Sequence, residues 1–294
     1  MPLHLVTGGC GFIGSHLCAA LIARGDTVRV FDDLSTGSRA NLAPGAELVV
    51  GDVADPAAVR AAMAGVDGVF HLAAIASVQR CTEDWLGTHR VNLGGTIAVL
   101  DAARAGQGRG AVPVVYASSA AVYGEVEALP IIEDVSTRPL SAYGADKLGS
   151  ELHARVAGAV HGVPTMGLRF FNVYGPNEYH KGGQMSVVPQ IYNRVAAGQP
   201  ARLFRSHHPD YEDGGQLRDF IAVEDCVDVM LWLHANPTVS GLFNCGTGAA
   251  RSFRDLAEAV FRALGQEPNI DYVDTPEAIR AMGDKAGAKR LMLE

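Results

Sequence analysis

The chain has 294 residues, enough to bury a sizeable core as one large domain or as a main domain with a smaller lobe, and at 48% hydrophobic and 19% charged residues it reads as globular and soluble. A formal net charge of -8 excludes a general nucleic-acid binder, which needs a basic surface, while leaving room for an anionic ligand at a local cationic site. The five cysteines (Cys10, Cys18, Cys81, Cys226 and Cys245) form no CxxC pair and no short disulfide framework, so reduced thiols in a cytoplasmic protein are expected.

Residues 3–7 read as a short apolar strand, and the segment before it has no basic region of the kind that opens a signal peptide. No apolar run approaches the roughly 18 residues of a membrane span. The stretch TGGCGFIG (7–14) then leads into a helix over 12–23, with Phe12, Ile13, Leu17 and Leu21 at helical spacing. Gly8, Gly11 and Gly14 leave the strand-to-helix turn without Cβ atoms. A tight structural turn would explain them. So would a pyrophosphate approaching the backbone and resting on the helix N-terminus. A second strand (27–31) runs into Asp32 and Asp33, about twenty residues on, where an acidic residue can hold an adenosine ribose. A carboxylate there favours NAD over NADP by repelling a 2′-phosphate, though Arg39 nearby leaves NADP open. Strand 47–50 is followed by Asp52 and Val53, placed to meet an adenine, and by Asp55-Pro56, a helix start. Strand 68–72 opens onto Leu72, Ala73 and Ala74, small residues that offer backbone to the middle of a dinucleotide.

A helix over 91–104, a strand over 112–117, a helix over 143–160 and a strand over 164–170 complete the regular part. Strands alternating with helices imply an α/β fold with a doubly wound parallel sheet, here assigned as a dinucleotide-binding domain over 1–171. Beyond that point the pattern becomes irregular, with helices at 223–234 and 252–264. Residues 172–294 are expected to form mainly a smaller substrate-binding lobe, with some segments returning to the first domain. Trp85 and Trp232 read as core or interface residues.

Tyr143 and Lys147 stand four apart on the expected 143–160 helix, so their side chains share a face. An ammonium beside a phenol stabilises the phenolate and is expected to lower its pKa, as would the positive charge of an oxidised nicotinamide. The tyrosine could then take a proton from a sugar hydroxyl while hydride leaves. Ser119, after the fifth strand, can hydrogen-bond the reacting oxygen.

The sequence resembles the extended short-chain dehydrogenases/reductases that act on nucleotide-diphosphate sugars. The motifs are TGGCGFIG (7–14), DDLSTG (32–37), GDV (51–53), HLAA (71–74), YASSAAVYG (116–124), YGADK (143–147), RFFNVYGP (169–176) and RDFIAVEDC (218–226), spread over nearly the whole chain. The resemblance implies a Rossmann domain, a tightly bound and recycled nicotinamide cofactor, and Ser119, Tyr143 and Lys147 as the catalytic set. Lys147 would also touch the nicotinamide ribose. Phe12, Ile13, Asn92 and Val173 join the cofactor residues, and Asn172 would contact substrate. It further implies a homo-oligomer, a dimer or larger, built through helices equivalent to 91–104 and 141–160.

Dehydratases of this family carry an Asp-Glu pair after the catalytic hydroxyl, whereas Ala120-Ala121 follow Ser119 here. That leaves transient oxidation and re-reduction, the chemistry of an epimerase. The two halves of the chain differ in their likeness. DDLSTG and HLAAIASVQ resemble UDP-glucose/UDP-galactose 4-epimerases. NVYGPNEYHKGGQMSVV (172–188), ARLFRS (201–206), residues 216–220 and GLFNCGTGAARSF (241–253) resemble ADP-L-glycero-D-manno-heptose 6-epimerases. In the latter family the lysine of the HKG stretch, here Lys181, serves as a second acid/base beside the tyrosine; pairing with a phosphate is its alternative use. The same likeness places Gln190, Phe204, Arg205, Ser206 and His207 along the sugar pocket and Arg218 on the diphosphate, where a guanidinium fork suits phosphate oxygens. His207-His208 has no partnering carboxylates or cysteines, so no metal is expected.

HKGGQMSVV is one residue longer than the commoner HKGSMAS form. After residues 276–280 the chain reads AMGDKAGAKRLMLE, where Gly, Ala and Lys replace the tyrosines of the heptose epimerases. Three readings therefore stand: a heptose 6-epimerase, a UDP-hexose 4-epimerase that would not need Lys181, and a non-catalytic dinucleotide-binding protein, which would have no need of Ser119, Tyr143 and Lys147 together.

Overall fold

The structure is a computed structural model that describes residues 1–106, 110–126, 130–207 and 209–275. The first half runs β1 (Leu3–Thr7), α1 (Phe12–Ala23), β2 (Thr27–Asp32), β3 (Glu47–Val50), α2 (Pro56–Ala62), β4 (Gly68–His71), α3 (Val78–Glu83), α4 (Trp85–His89), α5 (Gly95–Ala102) and β5 (Val114–Ser119). The second runs α6 (Ala142–His161), β6 (Thr165–Phe170), β7 (Asn172–Tyr174), α7 (Val187–Ala196), β8 (Ala201–Phe204), β9 (Leu217–Arg218), β10 (Phe220–Ala222), α8 (Val223–Ala235), β11 (Gly241–Cys245), β12 (Arg251–Ser252), α9 (Phe253–Ala263) and β13 (Ile270–Val273).

Seven parallel strands form one sheet in the order β11-β6-β5-β4-β1-β2-β3. The order reverses between β1 and β4, and a crevice opens at the carboxyl ends of strands at such a switch point. Buried parallel strands read as continuous apolar runs because both faces are covered. In β1, Leu5 and Val6 alternate faces. Val6 joins Leu17, Leu21, Met166, Met230 and Leu233 on the α1/α8 side, and Leu5 joins Val59, Val99, Val114 and Ala154 on the α2/α5/α6 side.

Local chemistry sets the helix ends. Asp55 accepts from the amides of Ala57 and Ala58 ahead of Pro56. Ser141 caps α6, which stops at Gly162 with φ +64. Ser252 and Asp255 form a capping box on α9.

Beyond residue 171 the chain divides its allegiance. β11 adds the seventh strand beside β6, and α8 packs under α1, so both return to the large sheet. Helices α7 and α9 with β8 and β13 enclose a separate core of Ile191, Val195, Leu203, Ala257 and Phe261. Sequence periodicity leaves α3, α4, α7 and the short strands after residue 171 unread, because most of these elements are only two to six residues long and carry too few repeats. Trp85 and Trp232 are exposed, at 66% and 57%, so the core reading of both is corrected. Among the described residues no helix is long and apolar enough to cross a membrane.

A buried ion pair ties α6 to the sheet. Arg169 on β6 donates to Glu151 through Nε to Oε1 at 2.9 Å and Nη2 to Oε2 at 2.8 Å, both side chains being about 5% exposed. Ser118 Oγ donates to the same carboxylate at 2.5 Å, and Arg169 Nη1 reaches Tyr123 Oη at 2.8 Å. Removing one partner strands a buried charge. Glu151→Ala is therefore expected to lower the unfolding free energy by about 3–5 kcal/mol in denaturant titration.

Candidate active site

The chain leaves β1 at Thr7 and turns through Gly8, whose φ of +71 favours glycine. A Cβ there would stand 2.7 Å from Ala73 N, and one on Gly14 would collide with the Gly8 carbonyl. Gly8 thus lets the ends of β1 and β4 approach, and Gly14 lets α1 close on the turn. The N-terminus of α1 has no side-chain cap and no acidic residue in its first turn. Its amides, including those of Phe12 and Ile13, belong to the end of a helix that favours anions.

A cleft opens beside this turn. Gly8, Gly11, Asp32, Asp33, Val53, Leu72, Ala73 and Ala74 line it, together with Ser35, Thr36 and Gly37 of the DDLSTG motif, Gly51 of the GDV motif, and Phe31, Ile75 and Val91. Asp32 is 6% exposed and accepts from Cys10 N at 3.0 Å and Leu34 N at 2.8 Å. Burial pushes its pKa up, and the two amides oppose that shift. Asp33 accepts from the amide and hydroxyl of Ser35. Asp52 is turned to Arg90 at 2.9 Å and to the Ala54 amide. Asn92 is 1% exposed and commits its amide group to both backbone groups of Ile75, so it holds the cleft wall. Val173 lies on β7 beside Ile221 and packs on the core. A Cβ-free turn, a helix end without a side-chain cap and a carboxylate one strand away suit the pyrophosphate and ribose hydroxyls of NAD.

Tyr143 and Lys147 stand on α6 below the end of β5. Ser119 shares a hydrogen bond with Tyr143 that favours the phenolate, and its Oγ also accepts from Ala121 N at 3.1 Å. Lys147, 3% exposed, donates to the Ala117 carbonyl at 2.8 Å, with Nζ 5.8 Å from the Tyr143 ring centre. The expected lowering of the phenol pKa is not what burial leaves. Desolvation pushes Tyr143 up to about 12, ahead of the Ser119 hydrogen bond that opposes it. Desolvation also lowers Lys147 to about 8, so the lysine gives up part of its own charge advantage.

Lys181 sits on the turn Tyr179–Gln184 with Nζ 4.3 Å from the Phe12 ring centre, against the glycine turn. Glu178, 1% exposed, holds it at 2.9 Å and also accepts from Ser186 N, Ser186 Oγ and Gly175 N. Asn177 and His180 reach Ser15 and Asn41, which fastens this segment across α1. Sequence reasoning missed Glu178. A usable signal was spacing, because Glu178 stands three residues before Lys181.

The remaining residues gather elsewhere. Asn172 Nδ2 donates to the Asp219 carbonyl at 3.1 Å, and the Asp219 carboxylate caps Thr247 and Gly248. Arg218 lies over Phe253 and pairs in register with Arg251. Phe204, 44% exposed, precedes Arg205, which is within 4 Å of Asp213 and Asp274. The Ser206 amide donates to Asp213, and His207 meets Thr275 Oγ1 at 2.9 Å. Gln190 on α7 donates to the Met185 carbonyl at 2.7 Å. His208 and residues 276–294, with the altered C-terminal stretch, lie outside the described residues. Among the described residues no group of three or more His, Cys, Asp or Glu is placed to hold a metal ion.

The sequence pattern of the NAD-dependent epimerase/dehydratase family matches residues 4–246. ADP-L-glycero-D-manno-heptose-6-epimerase of Nitratidesulfovibrio vulgaris is 40% identical over 289 residues, which is 95% of this chain and 86% of that protein. The protein of the same name from Alkalilimnicola ehrlichii is 39% identical over 286 residues, covering 94% and 85%. Among solved structures, UDP-glucose 4-epimerase of Thermus thermophilus in complex with NAD superposes with a TM-score of 0.80 at 33% identity, covering 99% of this chain and 97% of that one. UDP-N-acetylglucosamine 4-epimerase of Methanobrevibacter ruminantium gives 0.84 at 29% identity, covering 94% and 86%.

Gly8→Ala places a methyl group against Ala73 in a left-handed backbone conformation. It is expected to weaken NAD binding tenfold or more, equivalent to about 1.4 kcal/mol, when NAD is titrated into the apo-protein by calorimetry.

Proposed function

The chain belongs to the NAD-dependent epimerase/dehydratase family, and on that premise we propose that this nucleotide-sugar epimerase inverts C6″ of ADP-glycero-manno-heptose. The observation that carries the reading is Lys181. A buried carboxylate holds its ammonium against the glycine turn, on a different element from Tyr143. The level of identity to ADP-heptose 6-epimerases across almost the whole chain supports it.

When bound, oxidised NAD supplies a reversible hydride acceptor and a positive ring charge that favours the Tyr143 phenolate. Tyr143 Oη takes the proton of the sugar hydroxyl as the C–H bond gives up its hydride, leaving a carbonyl. Ser119 holds the reacting oxygen and the phenol in one hydrogen-bonded array. Lys147 supplies the nearby positive charge that works against the burial of Tyr143. Return of hydride to the opposite carbonyl face needs a proton at the new alkoxide. Lys181 delivers it from the Glu178 side, or Tyr143 returns its own proton after the carbonyl turns. Inversion leaves no net change in redox state. Phe204 through His207 and Arg218 would line the nucleotide and diphosphate end, where guanidinium groups suit phosphate oxygens.

A UDP-hexose 4-epimerase is the second reading, favoured by the likeness to UDP-glucose 4-epimerase structures. That chemistry needs Tyr143 and leaves Lys181 without a proton to move. NMR epimerisation assays on the purified chain, offered ADP-D-glycero-D-manno-heptose and UDP-galactose in parallel, separate the two. Conversion of the heptose alone, lost in Lys181→Met, is the expected result. Conversion of UDP-galactose alone would replace the first reading with the second. Tyr143→Phe is expected to lower kcat by about a hundred- to ten-thousand-fold while NAD stays bound. Retention of most activity would refute the mechanism.

A further inference from the structure

Residues 175–186 run from the end of β7 to the head of α7, and one buried carboxylate pins both feet of this loop. Glu178 accepts from Gly175 N at 3.3 Å at one end, and from Ser186 N at 2.8 Å and Ser186 Oγ at 2.7 Å at the other. Between its feet the loop crosses the carboxyl end of β1. Strands β2 and β4 flank β1 in the sheet, and the loop is tied to the segment that follows each of them. On the β2 side, Asn41 of the turn Arg39–Asn41 donates through Nδ2 to the Asn177 carbonyl at 3.2 Å and to His180 Nδ1 at 3.1 Å. On the β4 side, Gln184 donates through Nε2 to Ser77 Oγ at 2.9 Å, and Ser77 caps α3. The middle of the loop rests on the start of α1, where Asn177 Nδ2 donates to Ser15 Oγ at 3.2 Å and Lys181 stands over Phe12. Gln184 belongs to the longer HKGGQMSVV stretch, and Gly182 within it takes a φ of +57, a turn that favours glycine.

The loop is therefore fastened to both banks of the cleft, above the glycine turn. Asn41 follows closely on Gly37 and Ser77 on Ile75, and those two residues line the cleft after β2 and after β4. Neither Asn41 nor Gln184 lines the cleft itself. Their amides join protein to protein, so they hold the cover and not the ligand. An epimerase returns its hydride to the sugar in every turnover. Bound NAD then need not leave between turnovers, and a tethered cover suits that reaction.

We propose that residues 175–186 are a strap across the cofactor cleft, and that Asn41 and Gln184 are the tethers that set how fast NAD enters and leaves. This rests on the reading of the cleft as the NAD site.

The test follows NADH fluorescence in stopped flow. Excess NAD chases NADH from the loaded enzyme to give the exit rate, and mixing NADH with apo-protein gives the entry rate. A gate acts on passage in both directions. Gln184→Ala and Asn41→Ala are each expected to speed exit and entry alike by about two- to tenfold, leaving Kd within about twofold. The effect of Gln184→Ala should vanish once Ser77→Ala has removed its partner. Circular dichroism checks that each variant is folded. Asn41→Leu, which keeps the bulk and loses the donors, carries the same expectation should the alanine variant not fold. Unchanged exit in both single variants overturns the proposal. Faster exit with unchanged entry also overturns it, because that pattern marks a lost contact with the cofactor itself. A Gln184→Ala effect that persists in full beside Ser77→Ala removes Gln184 from its assigned role. Failure of the natural chain to bind NADH would overturn the NAD site and the strap together. The measurement uses no sugar, so its outcome is independent of which nucleotide sugar is the substrate.

Discussion

The bidentate contact between Arg169 and Glu151 holds the working helix to the sheet. It joins the middle of α6 to β6, takes in Ser118 at the end of β5, and extends through Tyr123 to Asn244 on β11. One turn toward the N-terminus of α6 stand Lys147 and Asp146, and beyond them Tyr143. A guanidinium fork fixes direction as well as distance, so the pair sets the rotation of α6 about its axis. A small rotation would swing Tyr143 away from Ser119. The pair is a weak source of net stability once desolvation is counted, and its value lies in geometry.

The same burial that gives precision to α6 works against its chemistry. Enclosure raises Tyr143 and lowers Lys147, which moves both groups toward their neutral forms. Catalysis by a phenolate, as proposed for Tyr143, would therefore depend on positive charge brought close in a dry site, for which Lys147 and an oxidised cofactor are the proposed sources. Such a site is costly to the folded state and is maintained by the surrounding ladder of hydrogen bonds, among them the Thr7–His71–Thr96–Ser150 chain that links β1, β4, α5 and α6.

The second lysine is held in a different manner. Lys181 lies on a short turn where a nearly inaccessible carboxylate gathers it along with the start of α7. Hydrogen bonds to α1 from the preceding residues make this turn a roof over the glycine loop. A cation fixed against the face of Phe12 gains from the ring quadrupole as well. Two lysines stand on two independent elements, one tied to the Ala117 carbonyl and the other to the Glu178 carboxylate.

Periodicity and turn chemistry carried the larger features. Three glycines at fixed spacing after an apolar strand, Asp32 at the end of β2, and Tyr143 and Lys147 four apart were readable, because each depends on neighbours within a turn or two of the chain. The alternation of strands and helices implied a parallel, doubly wound sheet, while the strand order around β1 and β4 belongs to the tertiary structure. The return of β11 to the large sheet, the grip of Glu151 on Arg169 and the pairing of His89 with Asp146 join residues 18 to about 75 positions apart, and no local pattern announces them. Nor could spacing reveal that desolvation outweighs the Ser119 hydrogen bond in setting the state of Tyr143, since burial depends on what every other element covers. The sequence established the types of groups and their local spacing; folding set their solvent exposure and their partners, and those two quantities govern whether an ionisable side chain carries its charge.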